Sequence, residues 1–369
     1  MNERILARDV TVSNDTWVTG LNNNDLIIGG SGAGKTRGYV LPNVLQCSES
    51  MIIADTKGSL QAQVAPMLRK NGYKIININF RDCFRSEGYN PLDYVRYDAG
   101  RDKYNEQDIM TIAACCIPVE NSRDPFWELS AQMYLESIIA YTLECLPEEE
   151  HNMISVLRLF GEMNTGKFTL LFQELEEQCK GSFALSRYRL YKDTRKAERM
   201  FESIRGIMAT NLSALSFDGA RALFQNPNKI RFEAIGQEKT AVFLTVSDTD
   251  RSMDKLANLF YTQALQALCN SADRCENYRL PVPVRFFLDD FAANVFIPDF
   301  DKTISVIRSR EISVSVILQS LSQLEGMYGH AKAMTIINNC DHCLYLGGQC
   351  VETARYISVK CCVQFLRLF

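Results

Sequence analysis

No stretch of this 369-residue sequence stays apolar over the roughly 18–20 residues that a membrane-spanning helix needs. The chain opens on Met1-Asn2-Glu3-Arg4, so it also lacks the apolar leader of a secreted protein. Neither an internal repeat nor a low-complexity linker is present. With 46% hydrophobic and 23% charged residues, the composition indicates a soluble, globular chain, and its length favours two subdomains.

A net positive charge is missing as well, because 40 lysine and arginine residues face 44 aspartate and glutamate residues. The net charge of −4 does not indicate a nucleic-acid binder, so any DNA contact requires a local basic patch. The most basic stretch spans residues 180–205 and is either a solvated helical face or a contact surface. Its basic residues include Arg187, Arg189, Lys192, Arg195, Lys196 and Arg199.

Cysteine, in contrast, is abundant. Thirteen cysteines without a secretory signal indicate free thiols in a reducing compartment. Cys340, His342 and Cys343 resemble half of a zinc site, but a second pair at zinc-finger spacing is missing. Because residues 343–346 also have the pattern of a core strand, we favour a strand over a metal site there.

The most informative segment that is present spans residues 29–36, with the sequence GGSGAGKT. It fits G-x-x-x-x-G-K-[ST], the phosphate-binding P-loop, and it follows a short apolar strand predicted over residues 25–28. Such a loop points its N–H groups at a polyphosphate, while Lys35 reaches the β- and γ-phosphates and Thr36 binds Mg²⁺. The predicted nucleotide-binding residues are Gly29, Gly30, Ser31, Gly32, Ala33, Gly34, Lys35 and Thr36.

Strand and helix patterns alternate around this loop, which predicts an α/β fold with a mainly parallel sheet. Helical periodicity dominates between about residues 100 and 230 and predicts an all-α inserted domain. The predicted domains are a first nucleotide-binding part at 1–95, the insertion at 96–230 and a second nucleotide-binding part at 231–369. Within the first part, Pro42 should bend or end the helix that follows the loop.

A second half of the nucleotide site is predicted at residues 286–290, where an apolar strand ends in two acids. Asp289 would lie at the carboxyl edge of the sheet and hold Mg²⁺ through water, and Asp290 would orient or deprotonate the attacking water. An acidic turn that merely closes a strand is the alternative. DTKG at 55–58 also fits the D-x-x-G of GTPases, but no guanine-reading N-K-x-D segment is present. A small-molecule kinase would need an arginine-rich lid, which the helical insertion lacks.

Several further segments are weak motifs when taken singly, but their combination is specific for one protein family. They are DTKG at 55–58, SEGYNPL at 86–92, FWE at 126–128, FLDDFA at 287–292, IPDF at 297–300, IRSREIS at 307–313, LQSLSQL at 318–324 and the strand region 339–347. Together they closely resemble the type IV secretion coupling proteins, the TraG/TraD-like DNA pumps of bacterial conjugation, in their Gram-positive-type form. The likeness covers about residues 21–358.

The resemblance implies a RecA-like motor core that forms a homo-hexameric ring at the cytoplasmic face of a secretion channel in the bacterial membrane. It implies ATP and Mg²⁺ as cofactors, and single-stranded DNA, a relaxase and channel proteins as partners. Because ATP would lie between subunits, a neighbour must supply positive charge, and Arg308 matches the family's arginine finger, with Arg310 as second choice. Gln319 resembles the glutamine that senses the γ-phosphate. Asp290, Arg308 and Gln319 are therefore the catalytic candidates.

The chain departs from that family in three places. Asp290 stands where most members have glutamate, and its shorter side chain predicts slow hydrolysis. The membrane helices expected ahead of the motor are absent, which predicts a soluble chain. The apolar ending at 360–369 does not resemble the family's continuation, which suggests truncation or a shifted reading frame and an aggregation liability.

Three other functions stay open at this point. A related RecA-like motor in chromosome partition or DNA-end processing would act on duplex DNA. A binding module would use ATP only to switch a docking platform for relaxase and substrate proteins, with little hydrolysis. A decayed gene product would have lost its anchor and its C-terminal end.

Overall fold

A computed structural model describes residues 3–120, 123–194, 197–247, 249–291 and 295–366. Arg195 and Lys196 of the basic stretch, Ala292 and residues 367–369 lie outside the described residues. The strands are β1 (Glu3–Ala7), β2 (Val10–Ser13), β3 (Asp25–Ile28), β4 (Ser50–Ala54), β5 (Lys74–Asn79), β6 (Tyr97–Asp98), β7 (Lys103–Tyr104), β8 (Thr240–Thr245), β9 (Val284–Leu288), β10 (Ile312–Leu318) and β11 (His342–Tyr345).

The α-helices alternate with these strands at both ends of the chain and follow one another in its middle. They are α1 (Thr16–Thr19), α2 (Leu41–Leu45), α3 (Ser59–Lys70), α4 (Glu106–Cys116), α5 (Phe126–Cys145), α6 (Met153–Glu162), α7 (Gly166–Gln178), α8 (Phe183–Thr194), α9 (Glu198–Leu212), α10 (Asp218–Gln225), α11 (Phe232–Ile235), α12 (Asp254–Arg274), α13 (Phe300–Val306), α14 (Leu321–Tyr328), α15 (His330–Asn338) and α16 (Val351–Leu366). Within the described ranges, no helix is both long enough and apolar enough to cross a bilayer.

The central sheet has seven strands in the order β11-β3-β10-β9-β4-β8-β5, and every neighbouring pair is parallel. Strands β3, β8, β9 and β10 are buried along their whole length, which is the pattern of a parallel sheet covered on both faces. The predicted α/β fold with a parallel sheet is confirmed.

The strand order explains how distant parts of the sequence meet. Parallel strands all end at the same edge of the sheet. Because β3, β10 and β9 are consecutive neighbours, the segments that follow them lie side by side at the carboxyl edge. Those segments begin at Gly29, Gln319 and Asp289, which come from opposite ends of the sequence.

The helix after the glycine-rich loop has an irregular turn just before Pro42, but it does not end there, which was one of the two predicted effects of the proline. Residues Thr36–Val40 form a π-helical turn in which the Leu41 N–H donates to the Thr36 carbonyl, and α2 then begins with Pro42 in its first turn. Proline has no N–H to donate to the carbonyl four residues earlier, at Gly38. The wider turn accommodates this missing hydrogen bond without ending the helical path.

The chain divides into two compact units. The first comprises residues 1–81, 231–254 and 264–369, and the second comprises 82–230 and 255–263. The units differ from the predicted domains near residue 95, because residues 82–95 group with the helices. Gly88 exchanges backbone hydrogen bonds with Asn228 (2.8 Å) and Ile230 (3.0 Å), and Asn90 donates to the His151 carbonyl (2.9 Å). Apart from the β6–β7 pair, the second unit is helical, and α5 runs through its core.

Candidate nucleotide site

The glycine-rich loop is fastened at its start to two neighbouring strands. The Gly29 N–H donates to the Leu318 carbonyl at the end of β10 (3.1 Å), and the Gly30 N–H donates to the Gly347 carbonyl beyond β11 (3.2 Å). Gly32 (φ 75°) and Gly34 (φ 88°) have left-handed backbones, which are strained for any other residue. The spacing of the glycines is thus explained by the path of the chain.

This loop presents unpaired donors of the kind an anion needs. The N–H groups of Ser31, Gly32 and Gly34 donate to no acceptor among the described residues, whereas the Ala33 N–H donates to Gly30. The buried Lys35 ammonium donates to the carbonyls of Gly29 (2.8 Å) and Gly30 (3.3 Å). A row of free N–H groups with a lysine at one end fits a polyphosphate.

The carboxyl edge also carries a hydroxyl–carboxylate pair suited to Mg²⁺. The Thr36 hydroxyl donates to Oδ2 of Asp289, although 253 residues separate them in sequence. Burial raises the pKa of the Asp289 carboxyl, and the adjacent Asp290 charge adds to this, while Thr36 and Lys35 lower the pKa. Both side chains offer the oxygen ligands that Mg²⁺ prefers, and a cation between them would offset the cost of the buried charge.

Asp290 and Gln319 complete the same edge. Asp290 has a left-handed backbone (φ 49°), and its N–H donates to Asp289 Oδ1 at 3.1 Å. Its Oδ1 is buried without a hydrogen bond and lies 3.9 Å from the Lys35 ammonium. The Gln319 side chain is exposed and makes no hydrogen bond with the described residues; its backbone N–H is held by the Gln323 side chain (3.1 Å). Both residues therefore lie at the same edge of the sheet as the glycine-rich loop.

The two arginines predicted as fingers lie at the opposite edge of the sheet. The turn Arg308–Arg310 directly precedes β10, a seven-residue strand that rises about 3.3 Å per residue. Arg310 is fully engaged, because Nε and Nη2 donate to Asp273 (2.8 and 3.1 Å) and Nη1 donates to the Val306 carbonyl (3.0 Å). The structure does not bring either arginine to the loop of its own chain.

Arg308 is held differently from Arg310. Its Nη2 donates to the carbonyls of Thr16 (3.2 Å) and Gly20 (3.0 Å) at the end of α1, while Nε and Nη1 have no acceptor in the described ranges. The side chain is exposed. Arg308 is thus oriented by its own chain and keeps donors free for another molecule.

The DTKG segment has a structural role of its own. The Asp55 carboxylate is buried and accepts from the Gln61 N–H (2.8 Å), which caps the first turn of α3. Gly58 (φ 68°) turns the chain into that helix. The predicted similarity to the GTPase D-x-x-G therefore reflects a helix start at the carboxyl end of β4.

A buried ionic network at the amino end of the sheet was not predicted. Asp25, at the first position of β3, accepts from Arg4 Nε (2.8 Å), Arg285 Nη1 (3.3 Å) and the Tyr39 hydroxyl (2.5 Å). Arg285 Nε also donates to Glu49 (2.5 Å). Asp25 and Arg285 have no solvent exposure. The signal available in the sequence was a charged residue at or near the start of two otherwise apolar strands, β3 and β9.

Two further sequence features are the half zinc site at residues 340–343 and the basic stretch at residues 180–205. His342 and Cys343 lie in strand β11, in agreement with the strand interpretation, and the described ranges contain no group of three or more His, Cys, Asp or Glu side chains placed around a common metal position. Part of the basic stretch is neutralised, since Arg187 pairs with Glu136 (2.8 Å) and Arg189 pairs with Glu176 (3.0 Å). Both carboxylates lie outside the stretch, so its own sequence did not indicate them.

Comparison with known proteins gives a family match over nearly the whole chain. The family model described as "Type IV secretory system Conjugative DNA transfer" matches residues 2–363. Protein VirD4 of Rhizobium radiobacter is 24% identical over 353 residues, covering 91% of this chain and 47% of VirD4. The chain spans about half the length of the curated relatives it matches.

Solved structures show the same fold. The bacterial conjugative coupling protein TrwBdeltaN70 has a TM-score of 0.70 at 18% identity, over 98% of this chain and 76% of that one. TrwB in complex with ADP and Mg²⁺ has a TM-score of 0.63 at 19% identity, over 88% and 71%. The resemblance to the type IV secretion coupling proteins is confirmed, and TrwB, which has the same fold, is the neighbour that was solved with ADP and Mg²⁺.

Proposed function

Because the chain belongs to the type IV secretory system conjugative DNA transfer family, we propose that it is an ATP-driven motor in conjugation. It links a relaxase-bound single strand of DNA to the secretion channel, at the cytoplasmic face of the bacterial membrane. The single observation that supports this most is the meeting of Lys35, Thr36, Asp289 and Gln319 at one sheet edge. A docking protein without hydrolysis would need the phosphate loop but not the whole set.

The residues divide the work as follows. The free N–H groups of the loop and the Lys35 ammonium hold the β- and γ-phosphates, and Thr36 and Asp289 hold Mg²⁺, directly or through water. Mg²⁺ neutralises charge on the phosphate oxygens when bound. Asp290 orients the attacking water, and its Oδ1 lies 3.9 Å from the Lys35 ammonium. Gln319 contacts the γ-phosphate from the neighbouring strand.

The arginine finger comes from a second copy of the chain. Arg308 has free donors and is exposed, whereas Arg310 is consumed by Asp273 and Val306. A finger supplied in trans is compatible with its position at the sheet edge opposite its own loop. This arrangement makes hydrolysis depend on assembly, for which a homo-hexameric ring is the proposed form.

Replacing Lys35 by alanine is expected to abolish ATP hydrolysis stimulated by single-stranded DNA, because the γ-phosphate loses its principal cation. The test is a phosphate-release assay with and without single-stranded DNA, in low and high salt, since backbone contacts to DNA weaken with salt. Lys70→Ala, an exposed lysine on α3, is the matched control and should leave the rate unchanged. Activity that survives Lys35→Ala would contradict the site, and activity indifferent to single-stranded DNA would contradict the motor. Stronger stimulation by duplex DNA would favour a partition-type motor instead.

One observation favours a second function, the ATP-switched docking platform. The resemblance leads us to expect glutamate at position 290, and the Asp290 carboxylate, one methylene shorter, has a buried oxygen without a hydrogen bond among the described residues. We expect Asp290→Glu to raise the turnover number by about tenfold without changing ATP affinity, because the longer side chain reaches the water. Turnover and ATP binding are measured separately, with Asp290→Asn as control. Normal ATP binding with no turnover, in the wild type and in Asp290→Glu alike, would support the platform.

A further inference from the structure

Apolar side chains are exposed side by side at the tip of α1. Trp17 is 69% exposed, Val18 is 80% exposed and Leu21 is 42% exposed. Single exposed apolar residues are ordinary, but a cluster that contains tryptophan is typical of a protein interface. The Arg279 guanidinium lies over the Trp17 ring, 4.2 Å from its centroid. We name Trp17, Val18, Leu21 and Arg279 the α1 surface.

The same short helix holds Arg308. Asp15 caps it by accepting from the N–H groups of Trp17 (2.9 Å) and Val18 (3.2 Å), and Gly20 (φ 70°) closes its other end. The carbonyls of Thr16 and Gly20 then accept from Arg308 Nη2. Arg308 is therefore hydrogen-bonded to the helix that carries the α1 surface. A molecule that covers Trp17 would lie next to the free donors of Arg308.

We infer that the α1 surface docks against the nucleotide edge of a second copy of this chain and thereby positions Arg308 at that copy's phosphates. This inference rests on the proposed function. Charge complementarity selects the occupant through Arg308, because its free donors would face Asp289, Asp290 and a polyphosphate, whereas the charge of Arg279 is partly offset by Glu311 of its own chain. Neither Arg308 nor Arg310 lies at the nucleotide edge of its own chain, so in the proposed mechanism the site is incomplete without the partner. Trp17 is accordingly a positioning residue for catalysis, not a catalytic one.

The test mixes two inactive variants. Lys35→Ala destroys the phosphate loop but keeps the finger, and Arg308→Ala destroys the finger but keeps the loop. Mixed together, they form an interface with an intact loop from one chain and Arg308 from the other. We expect the mixture to exceed either variant alone by more than about tenfold in ATP hydrolysis, since a finger contributes roughly 10³–10⁵.

Trp17→Ala is then placed in one chain at a time. Added to the Lys35→Ala chain, which supplies the finger, it should remove most of the recovered activity, roughly 30-fold as for a tryptophan at the centre of an interface. Added to the Arg308→Ala chain, which supplies the loop, it should have little effect. Phe84→Ala, which removes a comparably exposed (71%) aromatic side chain, is the control in both chains and should change neither. Melting temperature and nucleotide binding of each single variant show that the chains are folded.

The possible failures are distinguishable. If the mixture with Trp17 intact shows no recovery, the shared site is wrong and the inference is wrong with it. If recovery occurs and Trp17→Ala acts equally from either chain, or from neither, the shared site stands and the assignment of the α1 surface is overturned.

Discussion

Alanine at position 308 is expected to lower the turnover number for ATP hydrolysis by roughly 10³-fold or more while ATP affinity stays within about threefold. In the proposed mechanism the guanidinium stabilises charge that develops on the transferring phosphoryl group, so its loss should affect the transition state more than the bound ground state. Arg308 has two nitrogens free for this task, and its third is fixed on the end of α1.

The matched control is Arg310→Ala, two residues away. It breaks a partly exposed ion pair with Asp273 and should change the rate by less than about threefold. Oligomeric mass in the presence of ATP and single-stranded DNA separates a chemical defect from an assembly defect. A large loss from Arg310→Ala with none from Arg308→Ala would reverse the assignment, and equal small losses would contradict a finger in this turn.

The second large effect is expected from Asp25→Asn, which should lower the free energy of unfolding of the first unit by about 3–5 kcal/mol. Asparagine keeps the shape of the side chain but removes the charge. Arg4 and Arg285 then stay buried, and Glu49 contacts only the second of them. Breaking one partner of a buried pair is costly because Arg4 is left without a carboxylate counter-ion among the described residues, and Arg285 keeps only Glu49.

Urea denaturation, followed by circular dichroism and by hydrogen exchange of β3 and β9, measures this loss in the sheet itself. Glu238→Gln is the control, since it removes the exposed pair with Lys74 and should cost less than about 1 kcal/mol. A loss for Asp25→Asn no larger than for Glu238→Gln would show that the network contributes no net stability.

The local parts of the site could be predicted from the sequence because short motifs fix backbone conformation. The positive φ angles of Gly32 and Gly34 and the irregular helix before Pro42 follow from residues adjacent in the chain. Asp289 was placed beside the loop by one further rule, that parallel strands end at a common edge. That rule can be applied without knowing the order of the strands in the sheet. The hydrogen bond from the Thr36 hydroxyl to Asp289 agrees with it.

What escaped prediction depends on contacts between residues far apart in the chain. Arg4 contacts Asp25 because of the β1–β2 hairpin, and Arg285 contacts Glu49 because of strand pairing. Hydrophobic periodicity in the sequence therefore does not indicate either contact. The grouping of Gly88 with the helical unit likewise depends on hydrogen bonds to residues 228 and 230. The choice between Arg308 and Arg310 needed the positions of Asp273 and α1, which the sequence does not order in space.

Strand β10 would connect the nucleotide sites of adjacent subunits in a ring of these chains. Gln319 follows directly from one end of the strand, and Arg308 lies in the turn just before the other. The strand is hydrogen-bonded to β3 on one side and to β9 on the other, and this pairing restricts its deformation. In the proposed assembly, Gln319 at one end of β10 contacts the γ-phosphate in its own subunit. Arg308, before the other end, contacts the ATP of the next subunit. In that proposed assembly, a displacement of β10 at Gln319 would also displace Arg308 at the neighbour's ATP and would couple hydrolysis in adjacent subunits.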